Sequence, residues 1–148
     1  MRLAAKKCEL REATRRLAQA SGATQVGARM RKAGRAAATL AANLHHLRQQ
    51  GDFLWENTMQ TPPLRDRSNL PAISRKLSLI APEELAHAVS TIVAHSFALP
   101  REAVYLSTVR LLGFNRLSDE MRQQVDGAVQ HLLTQGELVE VNGVLRKN

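Results

Sequence analysis

The side chains able to do covalent or metal chemistry are few: one cysteine, Cys8, and five histidines, His45, His46, His87, His95 and His131. A metal site needs its ligands converging on one point. His45 and His46 are adjacent, and adjacent residues on a helix point about 100° apart. His87 and His95 share roughly one helix face but lie too far along it for a single ion. No spacing offers a Ser-His-Asp or paired-carboxylate arrangement, and no Gly-x-x-x-x-Gly-Lys-Ser/Thr phosphate loop is present. The expectation is a protein that is not an enzyme and holds no cofactor or metal. Cys8 reads as an incidental thiol on the polar side of a first helix. A single cysteine fits a reducing, cytoplasmic setting.

The chemistry that remains is charge. The net charge is +8, from 21 basic and 13 acidic residues. Residues 1–60 carry 11 basic and 4 acidic side chains, residues 61–79 carry 4 and 1, and residues 80–148 carry 6 and 8. The positive charge thus lies in the N-terminal half and the segment after it. Such a segment can hold phosphates without reading sequence. Its candidates are Arg29, Arg31, Lys32 and Arg35, then Arg65 and Arg67, with Arg75 and Lys76 nearby. Arg116, Arg146 and Lys147 are further phosphate candidates, and Arg122 and Gln123, on a third C-terminal helix, are further nucleic-acid candidates, Gln123 toward base edges. Two plainer readings stand beside this one. The first cluster is a solvated helix face, and Arg65 and Arg67 bracket Asp66 and pin their segment by ion pairs.

The elements that must position these groups are mostly helical. Leu3, Leu10 and Leu17 recur on one face of a helix from about Arg2 to Ala20, on which Glu12 and Arg16 can pair, and Ser21-Gly22 ends it. A second helix is expected from near Thr24 to before Gly51. Its seam, Val26, Met30, Ala33, Ala37, Leu40, Leu44 and Leu47, has a/d spacing and would pack on the first helix. Arg29 and Arg31 fall at its N-terminus, where positive charge opposes the macrodipole and favours an anionic partner. Residues 51–55 look like a short strand, with Trp55 as a packing residue. Thr61-Pro62-Pro63 and Leu70-Pro71 then mark a linker over residues 61–80.

From about Ala81 to Asn148 the pattern predicts a winged-helix module, three helices closed by a hairpin. Pro82 with Glu83-Glu84 and Pro100-Arg101-Glu102 start two helices, and Ser118 caps the third. Their buried faces are Leu85, Val89, Ile92 and Val93; then Val104, Leu106, Val109 and Leu112; then Met121, Val125, Ala128, Val129 and Leu132. Asn142-Gly143 between two β-prone runs predicts the hairpin. With Val125 buried, the third helix presents Glu120, Gln123, Gly127, Gln130 and Thr134 outward. That face lacks the cations a recognition helix uses to hold phosphates. The N-terminal half is either a helical hairpin or a degenerate second winged helix. Leu44–Phe53 resembles Val129–Leu138, and Val26 with Met30-Arg31 resembles Leu117 with Met121-Arg122. The two matches differ in offset, 85 against 91 residues, so aligning both needs a six-residue insertion. Two unrelated helix-to-strand turns is the preferred reading.

Four segments carry a family resemblance: Pro63-Leu64-Arg65-Asp66-Arg67-Ser68, Ile80-Ala81-Pro82-Glu83-Glu84-Leu85, Pro100-Arg101-Glu102, and Val109-Arg110-Leu111-Leu112-Gly113-Phe114-Asn115-Arg116. From about Trp55 onward the chain resembles the uncharacterised domain at the extreme C-terminus of large bacterial superfamily-one helicase-like proteins, in which it follows motor lobes and a restriction-endonuclease-like domain. The resemblance implies a C-terminal fragment or separately encoded remnant without ATPase activity. It makes DNA, or the helicase and nuclease parts of a parent assembly, the expected partners. The function expected is a non-catalytic DNA-binding accessory domain; the alternative is protein–protein docking or a homodimer. Composition fits an ordinary globular chain, 44% hydrophobic and 23% charged. No apolar run reaches the roughly 20 residues that span a bilayer, so no membrane partner is expected.

Overall fold

The computed structural model describes residues 8–148. Among them the chain is mainly helical, with five α-helices and two three-stranded antiparallel sheets. It divides into two compact units that part after Gln60.

In the first unit, β1 (Cys8–Glu9) leads into α1 (Leu10–Ala20), and α2 (Ala28–Asn43) is followed by β2 (Leu47–Gln50) and β3 (Phe53–Glu56). Strand β3 lies between β1 and β2. The first helix starts later than its periodicity suggests, because Cys8 and Glu9 pair with Leu54 and Phe53. The Glu9 carboxylate then caps α1 by accepting the Glu12 N–H at 2.8 Å. Leu3 of the expected leucine stripe lies outside the described residues. The second helix ends earlier than expected. His45 takes a left-handed conformation, φ 55°, and donates its N–H to Ala42 while His46 donates to Ala41. This Schellman stop normally uses glycine, so a histidine there gave no warning that Leu47 to Gln50 form a strand.

The seam of α2 does not face α1. Leu40 and Leu44 are 59% and 56% exposed, whereas Ala38, outside the seam, is buried. Gly34 lies so close to Thr14 that a Cβ there would run into its side chain. The two helices therefore approach at a glycine, with Ala18 and Ala38 the buried small residues of α1 and α2. That contact turns the leucines away.

In the second unit, α3 (Pro82–Ser96), β4 (Leu99–Pro100), α4 (Arg101–Leu111), α5 (Asp119–Thr134), β5 (Leu138–Val141) and β6 (Val144–Lys147) follow in order, with β6 between β4 and β5. The helix starts lie where the Pro and Ser signals place them, and Ser118 accepts the Met121 N–H. Asn142 and Gly143 both have positive φ, 53° and 75°, and form the two-residue turn between β5 and β6. The core combines Leu85, Val89, Val104, Val109, Leu112, Val125, Val129, Leu132, Leu138 and Leu145. Residues 61–80, read as a linker, fold into this unit. Leu77 and Ile80 join the core, and Leu64 packs against it.

The two units repeat. Subtracting 91 from the bounds of β4, α4, α5, β5 and β6 returns those of β1, α1, α2, β2 and β3. Strand registers follow the same offset: Gln50 pairs with Phe53 and Val141 with Val144, and Cys8 pairs with Leu54 and Leu99 with Leu145. The helix stops do too, with Ala23 bonded to Ala18 as Phe114 is to Val109, and His46 to Ala41 as Glu137 is to Leu132. No insertion is needed. The Val26/Met30-Arg31 match was in register; the Gln-Gly-acidic match was six residues out, pairing a helix end with the middle of a hairpin. Few side chains are shared, among them Gly22/Gly113, Met30/Met121, Arg31/Arg122, Leu47/Leu138 and Leu54/Leu145. The core positions of the first unit are smaller: Gly34, Ala38 and Ala41 stand where Val125, Val129 and Leu132 stand in the second.

Candidate nucleic-acid interface

The repeat makes α2 the counterpart of α5, the helix that precedes the hairpin of its unit. Its charge is the reverse. Helix α2 carries four basic and no acidic residues, and α5 carries one basic and three acidic. Arg29, Arg31, Lys32 and Arg35 are all exposed. Arg31 donates to the Val26 carbonyl at 2.7 Å. No acidic residue lies in the first turn, and the N-cap is Gly27 without a side-chain hydrogen bond. The uncompensated N–H groups, the macrodipole and four cations therefore create a positive potential around the start of α2. In α5 the matching end is capped by Ser118 and flanked by Asp119 and Glu120.

The other candidate cations are placed differently. Arg67 is buried and donates to the Glu84 carboxylate at 2.8 Å, joined by Arg65 at 3.2 Å. Arg67 also donates to the Arg65 carbonyl. These two arginines hold their own segment to α3. Arg75 donates to the Ser68 carbonyl. Arg122 pairs with Glu102 and lies 5.9 Å from the centre of the Tyr105 ring. Gln123 is exposed on the outer face of α5, as are Glu120, Gly127, Gln130 and Thr134. Arg116, Arg146 and Lys147 are exposed.

The ion-pair reading of Arg65 and Arg67 has the right cations but not their partner. Glu84, read only as part of a helix start, is the buried partner of Arg67, and a second network went unread. Arg101 bridges Asp126 at 3.0 Å and Glu140 at 3.1 Å, and the Tyr105 hydroxyl also donates to Asp126. Burial, then that carboxylate, pushes the Tyr105 hydroxyl up to about 12. Arg101 and Tyr105 are on α4, Asp126 on α5 and Glu140 on β5, so the network clamps three elements. In the first unit Trp55 is buried, with Arg48 stacked 5.1 Å from its ring centre.

The histidines do not converge. His87 and His95 donate ring N–H groups to the carbonyls of Pro62 and Thr91, and His45 and His46 lie in the turn after α2. Cys8 is in β1 rather than on a helix. Among the described residues no group of His, Cys, Asp and Glu could hold a metal ion, and no helix is long and apolar enough to cross a membrane. No family model, no curated protein and no solved structure matches this chain.

Proposed function

We propose that this protein is a non-catalytic, DNA-binding accessory domain of a helicase-related protein, built as two winged-helix units and gripping DNA through phosphates along α2. The observation that carries the reading is the exposed cluster Arg29, Arg31, Lys32 and Arg35 on α2; in this reading α2 is the recognition helix of its unit. The Arg65/Arg67 pair is set aside because both guanidinium groups are held on the Glu84 carboxylate. The acidic α5 supports a division of labour in which the second unit is a scaffold. Because this reading assigns the four α2 cations to phosphates, which carry no sequence information, binding is expected to be tolerant of sequence.

The test is duplex and single-strand binding across a salt series. The unaltered chain should lose affinity steeply with salt, and converting all four α2 cations to alanine should flatten the log–log slope by up to about 3.6, at roughly 0.9 per phosphate contact on duplex. Alanine at Arg116, Arg146 and Lys147 should leave most of the slope in place. Absence of binding at low salt, or a slope indifferent to the α2 substitutions, would overturn the reading.

A further inference from the structure

We infer that α2 takes single-stranded DNA, with phosphates along a polar, cation-bearing row and unpaired bases on an exposed apolar row beside it. This rests on the phosphate contacts proposed for α2 and specifies the form of DNA they hold. On a wheel at 100° per residue, Lys32, Ala36, Thr39 and Asn43 share a strip about 60° wide. Ala33, Ala37, Leu40 and Leu44, each the next residue in the chain, share the neighbouring strip, about as wide. Every residue of both rows is exposed, Leu40 by 59% and Leu44 by 56%. Arg29 lies between the rows at the helix start, and Arg35 borders the polar row on its far side. The rows run side by side for about 18 Å.

The repeat supplies a control. At the matching positions of α5 the second row reads Gln124, Ala128, His131 and Gln135, and its one apolar member, Ala128, is buried. The first row of α5, from Gln123 to Thr134, holds no cation. Exposed leucines and cations therefore occur together on α2 and are both missing from the same rows of α5.

Two such rows match a ligand that is charged along one edge and apolar along the other. A single strand has that form, because its phosphates follow one side and its unpaired bases offer flat faces on the other. Apolar side chains hold an unstacked base, as aromatic ones do. A duplex presents phosphates to the cations, but its base faces are stacked inside, away from Leu40 and Leu44. A second copy of α2 would set cations against cations. Since the bases meet aliphatic surface, the preference is for unpaired strand and not for a sequence.

The experiment compares binding of the full chain to an oligothymidylate, an abasic strand of the same length and a mixed-sequence duplex, all labelled. The oligothymidylate should bind about tenfold or more tightly than the abasic strand. The two salt slopes should agree, because the phosphates are the same. Leu40→Gln with Leu44→Gln should erase the difference between the strands and leave duplex affinity within about twofold. Glutamine is nearly as good a helix former as leucine, and the second unit has Gln135 at the Leu44 position. Equal affinity for the two strands, or a difference that survives the double glutamine variant, would refute the single-strand assignment. A dimer of the unaltered chain in sedimentation that this variant dissociates would refute it too, since the leucines would then serve a second copy. Binding that answers to alanine at Arg29, Arg31, Lys32 and Arg35 but not to the leucine changes sinks this assignment alone. Absence of binding to every probe at low salt sinks the phosphate grip with it.

Discussion

Replacing Glu84 with alanine should destabilise the second unit by about 3–5 kcal/mol, the range for removing one partner of a buried ion pair. The Glu84 side chain is 1% exposed and that of Arg67 8%. With the carboxylate gone, Arg67 keeps its buried charge and only the Arg65 carbonyl as a described acceptor. The penalty therefore comes mainly from the stranded cation, and replacing both residues by leucine should recover a large part of it. Tyr105 is the sole tyrosine and lies in the second unit, while Trp55 lies in the first. Urea unfolding followed at both chromophores should show an early tyrosine transition in Glu84→Ala and little change at Trp55. Equal loss in the single and the double variants would show that packing, not charge, sets the effect.

The same ion pair makes the second unit acid-sensitive. Burial alone would raise the Glu84 carboxyl, but hydrogen bonding and charge from Arg67, helped by Arg65, outweigh it and hold the group below its ordinary value of 4.5. A carboxyl depressed in the folded state binds its proton more readily in the unfolded chain. Its contribution is thus complete above pH 4.5 and is lost as pH falls through the lower folded value. The Tyr105 transition should move to lower urea on acidification below pH 4.5 in the unaltered chain. In the double leucine variant this dependence should be weaker.

Gly113→Ala should destabilise by about 3 kcal/mol or more, and Gly22→Ala, at the equivalent position of the repeat, by only about 1–2 kcal/mol. Both glycines end a helix with positive φ, 90° and 81°, and a Cβ in the left-handed region carries that smaller penalty in either unit. The difference lies in the surroundings. A Cβ on Gly22 meets nothing, whereas on Gly113 it would strike the Asp66 carboxylate and the backbone nitrogens of Arg67 and Ser68. That backbone is held by the Arg67 N–H to the Leu112 carbonyl, and Asp66 is locked onto the Ser68 N–H and hydroxyl. Relief would require moving the segment that carries Arg67 toward Glu84, so the two sites should couple in a double-mutant cycle. Similar losses at Gly22 and Gly113, from the separate Trp55 and Tyr105 transitions, would refute the close-approach argument.

Much of the second unit was legible because its local signals agree with its tertiary arrangement. Pro82, Pro100 and Ser118 start helices, Gly113 and Gly136 stop them, and Asn142-Gly143 turns the hairpin. The apolar periodicity of α3, α4 and α5 marks the faces that meet in the core. The first unit was less legible because its signals conflict. His45 stops a helix without glycine, Glu9 caps one where the periodicity runs on, and the strongest heptad pattern faces away from the core. The repeat was half visible: Met30-Arg31 against Met121-Arg122 had the right offset, but alanines replacing valines and leucines hid the rest.

The sequence by itself determined the helical class, the closing hairpin and the concentration of positive charge in the first half, because these depend on residue type and on neighbours a few positions away. Which cations stay available was decided only by tertiary structure. Arg65 and Arg67 are 19 and 17 residues from Glu84 along the chain and are both held on its carboxylate in space, whereas Arg29, Lys32 and Arg35 on α2 are presented to solvent. Tertiary structure also turned the Ala33–Leu44 stripe outward, because the approach of α1 and α2 at Gly34 leaves that side of the helix uncovered. Periodicity records which residues of a helix share a face; where that face points depends on the partner that packs against it.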